Sequence, residues 1–204
     1  MVMLTKKEKK QISQKIKKVE DRSSAELVAV IARSSSSYLF YIITFSLFIA
    51  IIATIIAMPF NPNAIKLFQI EFLSFFASFF LLSRFKTPIL YLLPKEYKYK
   101  IASKKAHEEF IKLGLDRTET KEAIMFFVSV EEKFVQIITD KNIKEKIEDN
   151  YWQNIVDEFI LDVKNRDFSK GYMKAIDSCS KLLIKEFPIQ KDDKNELSNE
   201  VIEL

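Results

Sequence analysis

From Tyr38 to Met58 the chain reads YLFYIITFSLFIAIIATIIAM, 21 residues without a single charge. A helix of this length rises about 30 Å, the thickness of a bilayer's hydrocarbon core. Twelve of the residues are Leu, Ile or Phe. Each contributes roughly −0.3 to −0.6 kcal/mol to insertion, on the order of −5 kcal/mol together. That sum outweighs Thr44, Ser46 and Thr54. Tyr38 and Tyr41 fall where an interfacial aromatic belt would lie. Such a helix needs either lipid or a large apolar shell of protein. A 204-residue chain has too little left over to build the shell.

A second segment, Leu67 to Ser83, is weaker because it is short and carries Glu71 in its first turns. Near the interface an acidic side chain costs far less than at the bilayer centre. Glu71 is therefore expected to reach the headgroups or to pair with Lys66. A lone carboxylate makes no transport path. The intervening PFNPNAIK ends the first helix with two prolines and returns the chain. Nine Lys or Arg residues precede the hairpin and seven follow between Arg84 and Lys105, while the loop offers only Lys66. The positive-inside rule then places both termini in the cytoplasm of a two-span protein of the cell membrane, in a bacterium its inner membrane. The Pro-bracketed run Pro88–Pro94 and the lysines after it are expected to lie in the interface plane against anionic lipid. Beside a membrane span these lysines do not read as a nucleic-acid patch.

Other features exclude function classes. Two glycines, Gly114 and Gly171, are too few for a P-loop or a GxGxxG turn. The lone Cys179 makes neither an internal disulfide nor a CxxC pair, which suggests a reducing compartment. The basic N-terminus lacks the apolar run of a cleaved signal peptide.

Outside the hairpin the pattern is that of an α/β domain. Lys6–Asp21 carries Ile12, Ile16 and Val19 at helical spacing. Glu26–Ala32 is a buried strand. Ser34–Ser37 reads as a flexible polar joint. Lys98–Leu113 is a helix stopped by Gly114. Ala123–Val130 and Lys133–Thr139 form an antiparallel pair around Glu131-Glu132. Helices follow at Asn142–Glu148, Tyr151–Asn165 and Ser169–Phe187, and the polar residues after Pro188 are expected to fray. A single strand is not stable alone, so Glu26–Ala32 must pair with strands beyond the hairpin. The expected organisation is a first half-domain at 1–37, a transmembrane hairpin at 38–83 (spans 38–58 and 67–83), an interfacial segment at 84–97, a second half-domain at 98–188 and a tail at 189–204. The expected fold is a three-layer α/β/α sandwich with a mixed sheet of three or four strands.

Three segments carry a family resemblance: IKKVEDRSSAELVAVIARSSSSY, AHEEFIKLGLDRTETKEAIMFFVSVEEKFVQIITDKNI and WQNIVDEFILDVKNRDFSKGYMKAIDSCSKLLIKEFP. In order and character they resemble the TPM-domain family, in particular its bacterial branch with two spans after the first strand. The resemblance implies a three-layer sheet domain. It also implies the roles proposed for relatives: acid-phosphatase activity, calcium binding, or service as an accessory protein to membrane complexes in photosystem repair and receptor modulation. The chain departs at Ala25, where glycine is common, and at Glu122-Ala123, where Thr-Gly is common. Many TPM domains are extracytoplasmic, against the charge argument here.

Among possible site residues, His107 begins HEE on a helix but has Ile111 where a zincin needs its second histidine. Cys179 lies on an apolar stripe with no histidine to activate it. The best polar cluster is Asp116-Arg-Thr-Glu-Thr, with Asp116 and Glu119, together with Asp140 after a strand. Ligands of open sheets bind beyond the carboxyl ends of strands, where Asp140, Arg33 and Ser34 are all expected. Carboxylates there would take Ca2+ or Mg2+ through oxygen. Asp140 is equally a good helix cap. The function expected is an accessory domain that is anchored in the lipid bilayer and docks to a membrane protein. The alternative is a divalent-cation-dependent phosphate-ester hydrolase.

Overall fold

The structure is a computed structural model and describes residues 4–165, 168–190 and 195–204. It divides into two compact units, one of Met1–Ser35 with Tyr99–Leu204 and one of Ser36–Lys98.

The first unit is built on a four-stranded sheet. Its strands are β1 (Glu26–Ala32), β2 (Ala123–Ser129), β3 (Phe134–Thr139) and β4 (Ile202–Glu203), in the order β3-β2-β1-β4. β1 pairs parallel with β2 and with β4, and β2 pairs antiparallel with β3. Every residue of β1 and β2 is buried, as a strand covered on both faces requires. Alternation divides the core. Leu27, Ala29, Ile31, Ile124, Phe126 and Val128 face one layer, and Val28, Val30, Met125 and Phe127 face the other.

The first layer contains α1 (Lys6–Glu20), α7 (Asp149–Lys164) and α8 (Phe168–Glu186). α1 starts at a capping box in which Thr5 and Glu8 satisfy each other's backbone N–H. Its Ile12 and Ile16 are completely buried against the sheet. Phe126, Phe159 and Tyr172 meet edge to face, and the Tyr172 hydroxyl donates to the Phe126 carbonyl. The second layer is α5 (Lys95–Lys112), contributing Ala106 and Phe110. α5 ends in a Schellman motif. Gly114 takes φ +77°, its N–H donates to Ile111, and the Leu115 N–H reaches back to Phe110. The three-layer arrangement and the mixed sheet are as the sequence predicts.

Two expectations are corrected. The tail does not fray throughout. Ile202–Glu203 adds a fourth strand to β1, and Glu203 pairs with Lys9 at 2.6 Å. The serines after β1 are not a loose joint, because Ser34 and Ser35 are bonded to Glu132.

The second unit holds α2 (Leu39–Ala57), a 3-10 turn (Met58–Phe60), α3 (Ala64–Arg84) and α4 (Thr87–Leu92), with the opening residues of α5. Asn61 at φ +48° turns the chain, and the Asn63 side chain caps α3 by accepting from Lys66. α3 starts three residues before the predicted span. The stretches Leu39–Phe60 and Ala64–Arg84 are each long and apolar enough to cross a membrane. Their large side chains point outward, with Phe40, Phe60 and Phe80 more than 70% exposed. A core helix of a soluble protein would bury these rings. α2 buries instead the narrow seam Ile42, Ser46 and Ala50, and α3 buries Ser78; of these Ser46, Ala50 and Ser78 are small residues of the kind that let helices approach closely in lipid. The hydroxyls of Thr44, Ser46, Thr54 and Ser78 each donate to a carbonyl one turn back, so none is left unsatisfied.

Candidate functional site

The sheet has two ends, and antiparallel pairing decides which residues share them. β3 runs against β1 and β2, so Asp140 at its carboxyl end lies beside the start of β2. The Asp140 N–H donates to the Ala123 carbonyl at 2.8 Å. Arg33 and Ser34, at the carboxyl end of β1, lie at the opposite end beside Glu131 and Glu132. The expectation that all three share one end is therefore wrong. It treated each carboxyl end alike, although β3 points the other way.

At the carboxyl ends of β1 and β2, Glu132 is almost completely buried. One of its oxygens accepts from the Ser34 hydroxyl at 3.2 Å and the Ser35 N–H at 3.0 Å, and the other from the Ser129 hydroxyl at 2.5 Å. Ser35 and Ser129 also bond each other at 2.7 Å. With both oxygens engaged, this carboxylate ties the chain leaving β1 to the β2–β3 turn and is not poised to take a substrate proton.

The other end is richer in unspent polar atoms. Asp140 caps α6 (Lys141–Lys146) by accepting from the Lys141 N–H at 2.7 Å with one oxygen. Its second oxygen is buried without a hydrogen-bond partner among the described residues. One oxygen of Asp116 and the hydroxyls of Thr118 and Thr120 are in the same condition. The segment before β2 is fastened to the start of α6 by Asn142, whose N–H donates to Lys121 and whose side chain donates to Thr120. The third expected ligand, Glu119, is exposed, and its backbone N–H donates to Glu196 at 3.0 Å. Among the described residues no three His, Cys, Asp or Glu side chains meet as a metal-holding group. The fit to a cation is thus partial: two carboxylates and two hydroxyls, all hard oxygen donors of the kind Ca2+ or Mg2+ takes.

Also at this end, two carboxylates missed by sequence reading lie under the tail. Glu20 accepts from the Leu27 N–H at 3.2 Å and from the side chains of Asn195 and Asn199. Glu26 accepts from the Glu196 N–H at 2.9 Å. Burial, then the charge of Glu26, pushes the Glu20 carboxyl up to about 8. Nearby, an open cleft of about 600 Å³ is lined by Ser24, Glu122, Asn142, Glu145, Lys146 and Glu186, among others. Ser24 donates to Glu122 at 2.5 Å across it.

Neither conventional nucleophile is assembled. Cys179 is fully buried, and desolvation pushes its thiol up to about 12. His107 is exposed, and its Nδ1 lies 2.8 Å from the Ser103 carbonyl of its own helix.

Comparison with known proteins gives one family-model match and one structural likeness. The model of the TPM domain matches residues 90–182. That segment of the chain is similar to the TPM domain. The matched residues include β2, β3 and the helices around them, whereas α1 and β1 lie before the match. The fold also resembles the NMR structure of the BA42 protein from the psychrophilic bacterium Bizionia argentinensis. The TM-score is 0.62 at 20% identity, over 98% of this chain and 95% of that one. At that identity the likeness bears on the fold alone. No match was found among curated proteins.

Proposed function

We propose that this TPM protein is a membrane-anchored accessory domain that works by docking a partner membrane complex. The observation that carries the reading is the hairpin of α2 and α3, which turns most of its Phe, Ile and Leu side chains outward while burying only the seam of Ile42, Ser46, Ala50 and Ser78. Lipid satisfies such a surface and water does not. The excess of Lys and Arg on both flanks favours the cytoplasmic side for the domain. Catalysis is disfavoured by a buried, high-pKa Cys179, a helix-bound His107 and a fully engaged Glu132. Affinity purification of the full chain from detergent-solubilised membranes should recover the same membrane protein reproducibly. Recovery of the chain alone, from membranes solubilised under several mild detergents, would refute it.

A second reading rests on the four partnerless oxygens of Asp116, Thr118, Thr120 and Asp140. In it, the loop before β2 holds a divalent cation, the seat on which the phosphate-ester hydrolysis proposed for relatives would depend. Millimolar CaCl2 should then raise the thermal midpoint of the wild-type chain and not that of Asp116→Asn/Asp140→Asn. Equal midpoints with CaCl2 and with EDTA would exclude it.

A further inference from the structure

β3 is the outermost strand of the sheet, with β2 on one side and no partner on the other among the described residues. Its ladder fixes which groups face outward. The Asp140 N–H bonds Ala123, so Ile138, Gln136 and Phe134 bond inward to β2 in the observed register. Val135, Ile137 and Thr139 therefore turn their N–H and C=O groups to the open edge. Exposed edges of this kind are usually blunted by proline, charge or a covering element. The sequence FVQIIT has none of these.

The edge lies in a groove. A cavity of about 510 Å³ runs along Val135–Thr139, with Phe110 and His107 of α5 on one wall and Trp152 and Val156 of α7 on the other. Trp152 is 95% buried (5% exposed), yet its indole Nε1 has no hydrogen-bond acceptor among the described residues. The side-chain oxygen of Gln136, in the same lining, has no donor among them either. A buried indole N–H ordinarily finds a partner. Lys144, Asp149 and Gln153 add a polar rim to the Phe110, Trp152 and Val156 surface. An empty backbone ladder, walls of mixed polarity and two orphaned polar atoms call for one kind of occupant.

We infer that this groove is a strand-addition site, which takes an extended peptide segment of the partner protein as a fifth strand on β3. Extended backbone matches a two-residue repeat of outward N–H and C=O groups. Phe110, Trp152 and Val156 take apolar side chains at alternate positions, and Lys144, Asp149 and Gln153 take polar ones at the rim. A side-chain or backbone acceptor meets Trp152, and a donor meets Gln136. The inference rests on the docking function proposed above and names the surface that performs it.

The probe is a random heptapeptide phage library, panned against the full chain in nanodiscs with empty nanodiscs as control. Enriched peptides should carry apolar residues at alternate positions, and their binding should slow amide hydrogen exchange at Val135, Ile137 and Thr139. Ile137→Pro removes an outward N–H and leaves the bonds to β2 intact; it should weaken binding by about tenfold. Trp152→Phe keeps the ring and loses the donor, and should weaken it by roughly three- to tenfold. If Ile137→Pro does not fold by circular dichroism, Trp152→Phe and the exchange pattern decide. No enrichment, unchanged exchange at the three amides, or equal affinity of both folded variants would overturn the inference. A folded Ile137→Pro chain that still recovers the membrane partner would overturn it too, leaving the docking function to another surface. A chain that binds edge-dependent peptides but recovers no partner keeps the groove and sinks the docking function.

Discussion

Glu20 closes α1 with its carboxyl under the tail, beside Glu26, and has an ordinary value of 4.5 raised to about 8 in the fold. Between those values the folded chain holds a proton that the unfolded chain releases. Stability contributed by this group is therefore complete below pH 4.5 and is lost as pH rises through 8. The slope is about 1.4 kcal/mol per pH unit inside the window, or on the order of 5 kcal/mol across it. Glu8 and Glu109 do not mask the effect. Bonds to Thr5 lower the first. In the second, burial pushes upward but Lys105 and Lys112 outweigh it. Both therefore contribute stability that is lost only as pH falls below the ordinary carboxylate value. Glu20→Gln replaces the titrating group with a neutral amide of the same shape. Thermal unfolding of the full chain in detergent, followed by its single tryptophan, Trp152, should show the wild type losing roughly 3–5 °C per pH unit from pH 5.5 to 7.5. Glu20→Gln should be nearly flat and should be the more stable protein at pH 9. Parallel curves for the two proteins would refute the burial of an uncharged Glu20 beneath residues 195–199.

Three further substitutions test other joints of the fold. Lys133 takes φ +53° in the β2–β3 turn, so Lys133→Gly should stabilise by about 1 kcal/mol in chemical denaturation. A side chain at Gly171 would place Cβ 2.9 Å from Cβ of Asp162 and 3.3 Å from the Phe159 ring, so Gly171→Val should destabilise by about 1–3 kcal/mol in the same assay. Glu132→Ala removes the acceptor shared by the Ser34 and Ser129 hydroxyls and the Ser35 N–H, and should cost about 2–4 kcal/mol and speed hydrogen exchange at Ser35.

Much of the fold was legible because burial leaves a strong pattern. β1 has the predicted ends, since the six-residue apolar run Leu27–Ala32 is too short for a buried helix and rich in β-branched residues. The requirement that β1 pair beyond the hairpin is met in full register with β2. β4 was not legible, because a two-residue edge strand needs only Ile202 facing the core and leaves no periodicity. The candidate site was half legible. Asp116 and Asp140 were found as polar residues beside strands, and Thr118 and Thr120 lay within the same cluster. The placement of Asp140 failed because strand direction, not strand end alone, decides neighbours. Glu20, Glu26 and Glu132 escaped notice because a buried glutamate and a solvated one look the same in sequence; only the donors around them, many residues away, make the difference.

The central claim is an anchored domain whose chain crosses the membrane twice between β1 and β2. Its most direct test is labelling of single added cysteines in intact cells with a membrane-impermeant maleimide, against a background kept silent by the fully buried Cys179. Asn61→Cys, in the turn between α2 and α3, should label from outside. Gln14→Cys, on the exposed face of α1, should label only after the membrane is opened. Equal labelling of both positions in intact cells, or of neither, would contradict the two-span account.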